Sequence, residues 1–253
     1  YDRRTQIALK AATNTTVYAW LEAGKAGPVA PSVPRALSTK EVRRVTRDFV
    51  ASAQRAIEAG FDGIELMAAN AFLFDQFLSS ELNTRTDEYG GSIANRQRFL
   101  LETIDAIADA IGGTRVGVRV SPFGRLYDFG PYANEEETWM SIAAALNARE
   151  LAYVHLNYQP TITAAEVPTG FGARFRQAYK GTLMAAGGFD LELAQTELEK
   201  GDLDLFAFGT SYIANPDLVE RMRNGWPLTE SDRSTFYGVI GAKGYTDYPK
   251  YEG

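Results

Sequence analysis

The sequence contains no cysteine and a single histidine, His155. The first absence excludes disulfides, thiolate metal sites and a cysteine nucleophile. The second leaves little material for a Ser-His-Asp triad and none for a multi-histidine zinc site, so no metal centre is expected. No apolar run reaches the length of a membrane-spanning helix, and no stretch reads as a signal peptide. Blocks of basic residues are lacking too. Lys and Arg total 26 against 32 Asp and Glu, a net charge of −6 spread along the chain. That argues against nucleic acid or an anionic membrane as the main partner. A small-molecule ligand and a cytoplasmic location are the expectations that remain.

What is present is an ordinary globular composition, 45% hydrophobic and 23% charged over 253 residues. That is about the length of one (β/α)8 barrel. Strand-like and helix-like segments alternate. Asp2 to Ala12 reads as a helix end, TTVYAWL (15–21) as a strand, and the proline-containing KAGPVAPSVPRAL (25–37) as a loop. Ser38 and Glu41 have the spacing of a capping box, which opens a helix to about Ala59, stopped by Gly60. DGIELM (62–67) is the next strand, followed by a polar loop. A helix from Ile93 to Ile111 is ended by Gly112 and Gly113. RVGVRVSP (115–122), AYVHLNY (152–158), TLMAAGG (182–188) and DLFAFG (204–209) read as strands. Glu135–Arg149 and Leu191–Lys200 read as helices, and Asn215-Pro216 starts a last one.

Six strands alternating with helices predict a parallel sheet with right-handed crossovers. A barrel and a doubly wound sheet both satisfy the alternation. Pro122, Gly187 and Gly209 at strand ends favour the barrel, which places its ligand site at that face. The expectation is an α/β fold, a (β/α)8 TIM barrel in one domain spanning residues 1–253.

Long stretches then become recognisable. FDGIELMAANAFLFDQFLSSELNTRTDEYGGSIANRQRFLLETIDAI resembles the old yellow enzyme family of FMN-dependent ene-reductases. So do RVGVRVSPFG, LNARELAYVHL, LMAAGGFD, FAFGTSYIANPDLVERMRNGWPL and FYGVIGAKGYTDYP. The resemblance runs in order from about Val17 to Pro249, with the bacterial nitroester and N-ethylmaleimide reductase branch as the most similar in motif. It implies a (β/α)8 barrel holding FMN at the C-terminal strand ends, with NAD(P)H as the reductant. Hydride passes to the β-carbon of an activated alkene, and a tyrosine supplies the proton. Two side chains hold the carbonyl oxygen, where charge develops in the transition state.

Carried over residue by residue, the resemblance gives a mixed pattern. The first carbonyl-holding position, a histidine in the family, falls on Met67, which has no N–H. The second falls on Asn70, which can donate. The tyrosine proton donor falls on Phe72. A flavin-bonding glutamine falls on Trp20, and the Trp-His pair that usually follows becomes Leu21-Glu22. Arg119 matches the arginine beside the flavin ring, and Gly187, Gly188 and Gly209 match the glycines of the phosphate site. The phosphate-clamping arginine falls on Thr210. Tyr237 matches a tyrosine on the substrate side and is the candidate substitute acid; tail packing is its plainer reading.

Other readings stand beside these. Asn70 can serve backbone groups instead of a ligand. The glycines can be turn formers. Arg119, flanked by apolar residues, needs an anion or an internal partner. His155 is expected to be a satisfied core histidine, and Arg85 and Asp87 a structural ion pair in the TDEYGGS loop (86–92). Two β/α units that precede VYAWL in the family are expected to be missing from this sequence, and the loop after it is shorter. Open sheet edges would then require a partner or a second copy. The expected function is a flavin oxidoreductase scaffold for a small activated alkene, with ordinary enone reduction impaired. The alternatives are a flavin-free cyclase or isomerase using the barrel mouth, and a non-catalytic binding homologue.

Overall fold

Short apolar runs of β-branched residues separated by longer amphipathic ones form strands linked by helices. In the computed structural model, residues 35–126, 129–157, 167–236 and 241–253 are described. The expected strand at 15–21, with Trp20, lies outside them, as do the helix end at 2–12, residues 25–34 of the expected loop, and Tyr237.

Among the described residues, five strands form one parallel sheet: β1 (Ile64–Ala68), β2 (Val116–Val120), β3 (Tyr153–Asn157), β4 (Leu183–Ala186) and β5 (Leu205–Ala207). Each pairs with its sequence neighbour, in the order β1-β2-β3-β4-β5. A doubly wound sheet reverses its order at a switch point. An unreversed order is the wall of a (β/α)8 barrel, and five of its staves are described.

Eight helices accompany them among the described residues: α1 (Thr39–Glu58), α2 (Leu73–Leu78), α3 (Ile93–Ile111), α4 (Glu135–Asn147), α5 (Phe171–Ala178), α6 (Leu191–Lys200), α7 (Thr210–Ala214) and α8 (Leu218–Asn224). The capping box on α1 is as expected. The Ser38 hydroxyl accepts from the Glu41 N–H, and the Glu41 carboxylate accepts from the Ser38 N–H at 2.8 Å. Four helices depart from the sequence expectations, the unexpected α7 among them. The polar loop after β1 contains α2, whose six residues LFDQFL are too short to show a period. The stretch between β3 and β4 contains α5. The last helix starts at Leu218, because Asn215 closes α7 and its side chain is tied to Ser211 and Thr229.

The strand faces divide cleanly. Leu66, Ala68, Val118, Val120, Val154, Leu156, Leu183 and Ala185 are buried in the core. Phe74, Phe77, Phe99 and Tyr89 pack there with tilted and edge-on rings from α2, α3 and the loop between them. The alternate residues, Glu65 and Met67 of β1, Arg119 of β2, His155 and Asn157 of β3 and Met184 of β4, share the opposite, lumenal face. Arg85 and Asp87 pair as expected, and the loop does more than cap α3. Arg85 donates to the Leu37 carbonyl at 2.6 Å and Asp87 accepts from Thr39 at 2.9 Å, so the loop also anchors the start of α1. No helix among the described residues is long and apolar enough to cross a membrane.

Candidate active site at the strand ends

Just past β1 the chain makes a turn that few sequences adopt. Asn70 and Ala71 both have left-handed backbones, with φ of 59° and 60°. For an L-residue this costs about 1–2 kcal/mol each. Hydrogen bonds hold the turn. The Asn70 N–H donates to Ser121 Oγ at 2.7 Å, the Ala71 N–H to Asp75 Oδ2 at 2.9 Å, and the Phe72 N–H to the Ala69 carbonyl at 3.1 Å. Gln76 donates to the Ala71 carbonyl at 2.7 Å. Ser121 in turn donates to Asp75 at 3.2 Å. Asp75, on the first turn of α2, is thus the peg that joins the β1 turn to the end of β2.

Asp75 is only 1% exposed, and its Oδ1 has no partner. Burial pushes its carboxyl up to about 7, against the bonds from Ala71 and Ser121, and the nearby Glu135 adds to the rise. Glu135 itself is paired with Arg125 at 2.8 Å.

On the lumenal face a second set of polar groups crosses three strands. Arg119 Nη2 donates to Asn157 Oδ1 at 3.2 Å, and Asn157 Nδ2 donates to Asn70 Oδ1 at 2.6 Å. Arg119 Nε is buried with no partner. One layer lower, His155 Nδ1 meets Glu65 Oε2 at 2.8 Å, while His155 Nε2 is buried and unpartnered. Burial pushes the Glu65 carboxyl up, but His155, Arg119 and Tyr153 outweigh it and hold it below its usual range. His155 is therefore only half satisfied, where the sequence suggested a fully satisfied core histidine. Arg119 has an internal partner, a neutral amide rather than a carboxylate, and a donor to spare.

The remaining expected residues fall in two groups. Met67 lies on β1 beside Arg119, and Phe72, the residue before α2, is 44% exposed. Gly187 and Gly188 follow β4 with φ of 130° and 72°, conformations that glycine adopts freely. Gly209 precedes α7 with φ of −94°, so no left-handed backbone demands a glycine there. Thr210 and Ser211 line a cavity of about 330 Å³ with Asn215, Thr229 and Arg233. The structure thus brings Met67, Asn70 and Arg119 together around β1 and β2. It gathers the glycines and Thr210 at the ends of β4 and β5.

Sequence reasoning overlooked Asp75, Ser121, Glu65 and Asn157. One signal was available for Asn157. In the otherwise apolar strand YVHLN, the two polar residues His155 and Asn157 are two apart and must share a face.

The strand-end site can be set against known proteins. The family model for the NADH:flavin oxidoreductase / NADH oxidase family, an FMN family, matches residues 10–229. The 12-oxophytodienoate reductase 2 of Arabidopsis thaliana is 42% identical over 221 residues, covering 87% of this chain and 59% of that protein. A probable flavin mononucleotide-dependent alkene reductase of Leishmania infantum is 42% identical over 219 residues, covering 86% and 58%. Among solved structures, morphinone reductase in complex with tetrahydroNAD superposes with a TM-score of 0.90 at 44% identity, covering 98% of this chain and 67% of that one. The chain spans somewhat under two thirds of the length of the curated relatives quoted. A barrel wall in unbroken order, an arginine with a spare donor at its mouth and a match over most of the sequence converge on one assignment: the chain belongs to the old yellow enzyme family, the NADH:flavin oxidoreductase / NADH oxidase family.

Proposed function

We propose that the chain carries the greater part of an FMN-dependent oxidoreductase that takes reducing equivalents from NAD(P)H and acts on a small activated alkene, with ordinary enone reduction slowed by its substitutions. The observation that carries this reading is the buried, unpartnered Nε of Arg119 beside the Arg119–Asn157–Asn70 chain. A buried guanidinium donor without a partner is costly, and an electron-rich ring edge at the strand ends would satisfy it. By resemblance Arg119 and Trp20 would hold the flavin ring, and Gly187, Gly188, Gly209 and Thr210 would face the phosphate. FMN, once bound, supplies the hydride chemistry. The residues supply the rest. Asn70 donates to the substrate carbonyl and polarises the alkene. Met67 adds no second donor. Phe72 has no proton to give, so the proton comes from water or from Tyr237.

The chain is read as one barrel domain in the cytoplasm. Among the described residues β1 and β5 each have one strand neighbour. Further strands, a second copy or a partner would cover those edges. A second reading, a flavin-free cyclase or isomerase or a non-catalytic homologue, is favoured by Met67, Phe72 and Thr210 together, which remove a donor, an acid and a cation.

The visible spectrum of the purified protein separates the two, recorded before and after adding FMN and removing the excess. We expect a retained flavin band that NADPH bleaches, with slow reoxidation by cyclohex-2-enone. Absence of flavin after reconstitution would overturn the redox reading.

A further inference from the structure

An asparagine amide can point either end at a ligand, and the two orientations have nearly the same shape. Only one offers an N–H to a carbonyl oxygen. For Asn70 the choice is not left to the ligand. Arg119 has donors and no acceptor, so the atom of Asn157 that faces it must be the carbonyl Oδ1, as found at 3.2 Å. The other end of Asn157 is then its NH2, which donates to Asn70 Oδ1 at 2.6 Å. With its Oδ1 engaged, Asn70 keeps Nδ2 without a partner among the described residues. The backbone adds the second restraint, because the Asn70 N–H is fixed on Ser121. Reversing Asn157 would set an NH2 against a guanidinium, donor against donor.

We propose that Asn157 is the positioning residue that fixes the polarity of the Asn70 amide and so aims its Nδ2 at a ligand carbonyl. Asn157 is fully buried, ends β3, and reaches Asn70 across the mouth of β2. It need not touch the ligand. It transmits the permanent charge of Arg119 through one neutral amide to another. The ligand's carbonyl nature rests on the proposed function; the polarity of the chain does not.

Side-chain amide NMR of the uniformly 15N-labelled protein, carrying whatever flavin it retains, tests this without a variant. The Asn157 Nδ2 protons should exchange slowly with water and the Asn70 Nδ2 protons quickly. The reverse pattern would overturn the proposal. Asn157→Asp gives the sharper test. A carboxylate keeps a partner for Arg119 and nearly the same shape, but it cannot donate. Asn70 should then turn over, its Nδ2 protons becoming protected, while the melting temperature holds. Affinity for cyclohex-2-enone should fall about tenfold or more. An Asn70 amide that stays unprotected in Asn157→Asp would sink the positioning role, as would unchanged affinity in a turned variant for an enone that perturbs Asn70 in the wild type. If the amide turns as expected but cyclohex-2-enone never perturbs Asn70 in the wild type, the positioning stands and the alkene-reductase reading fails.

Discussion

The two halves of the barrel mouth hold their polar groups in different ways. At the ends of β1, β2 and β3, Asn70, Asp75, Arg119, Ser121 and Asn157 are joined by hydrogen bonds that run from strand to strand. At the ends of β4 and β5 stand Gly187, Gly188, Gly209 and Thr210, which among the described residues make no side-chain hydrogen bonds from strand to strand. The first half is preorganised: its donors are aimed before any ligand arrives. The second offers backbone and space, with Thr210 where the resemblance places a cation. On the proposed reading, the groups assigned to ligand orientation are held more firmly than those assigned to the phosphate.

Restoring the lost groups should shift that balance most. Met67→His, Phe72→Tyr and Thr210→Arg together should raise enone reduction by about 10²–10⁴-fold, the usual worth of a positioned acid. Steady-state NADPH oxidation with cyclohex-2-enone reads this out. No gain would count against a site that has merely lost its acid and clamp.

A contrast between the halves comes next. Arg119→Leu removes a charged donor worth about 1.5–3 kcal/mol. It should weaken FMN binding about ten- to hundredfold and loosen Asn70. Gly209→Ala should weaken FMN binding less than Arg119→Leu does, because it removes no charge, a Cβ there meets no protein atom within 4 Å and the backbone φ is negative. Fluorescence titration with FMN compares the two, and equal losses would erase the distinction between the halves.

The smallest effect is a pH slope. In the fold the Asp75 carboxyl is raised from 3.8 to about 7. The folded state therefore binds a proton more tightly than the unfolded chain. The stability contributed by protonated Asp75 is full below pH 4 and is lost as pH rises through about 7. Asp75→Asn keeps an acceptor for Ala71 and cannot ionise. Its urea midpoint relative to wild type should climb across that window. Parallel midpoints at every pH would mean that Asp75 is not the buried acid described.

Much of the architecture was legible because it is local. Capping at Ser38 and Glu41, the helix stop at Gly112 and the apolar runs of β1 to β5 each occupy a few consecutive residues. Helices α2, α5 and α7 were not legible, being five to eight residues long and fixed by packing rather than by period. The web itself was hidden for a different reason. Asn70 and Asn157 stand 87 residues apart, and Glu65 and His155 stand 90 apart. Only strand register brings such pairs together, and a slip of one residue would turn Asn157 to the outer face. Met67, Phe72 and Thr210 stood out by comparison with a family pattern. Asp75 and Ser121 gave no such contrast, and their joint role is visible only in three dimensions.

The unreversed strand order has a consequence for how the protein is made. Each stave pairs with the one synthesised just before or after it, so the sheet can grow unit by unit behind the ribosome. The residues of the web end at Asn157, some 96 positions before the last residue of the chain. Its donors can be in place before β4 and β5, and with them the glycines that the resemblance assigns to the phosphate, have left the ribosome. The half of the mouth proposed to orient a ligand is thus also the half that the nascent chain can finish first.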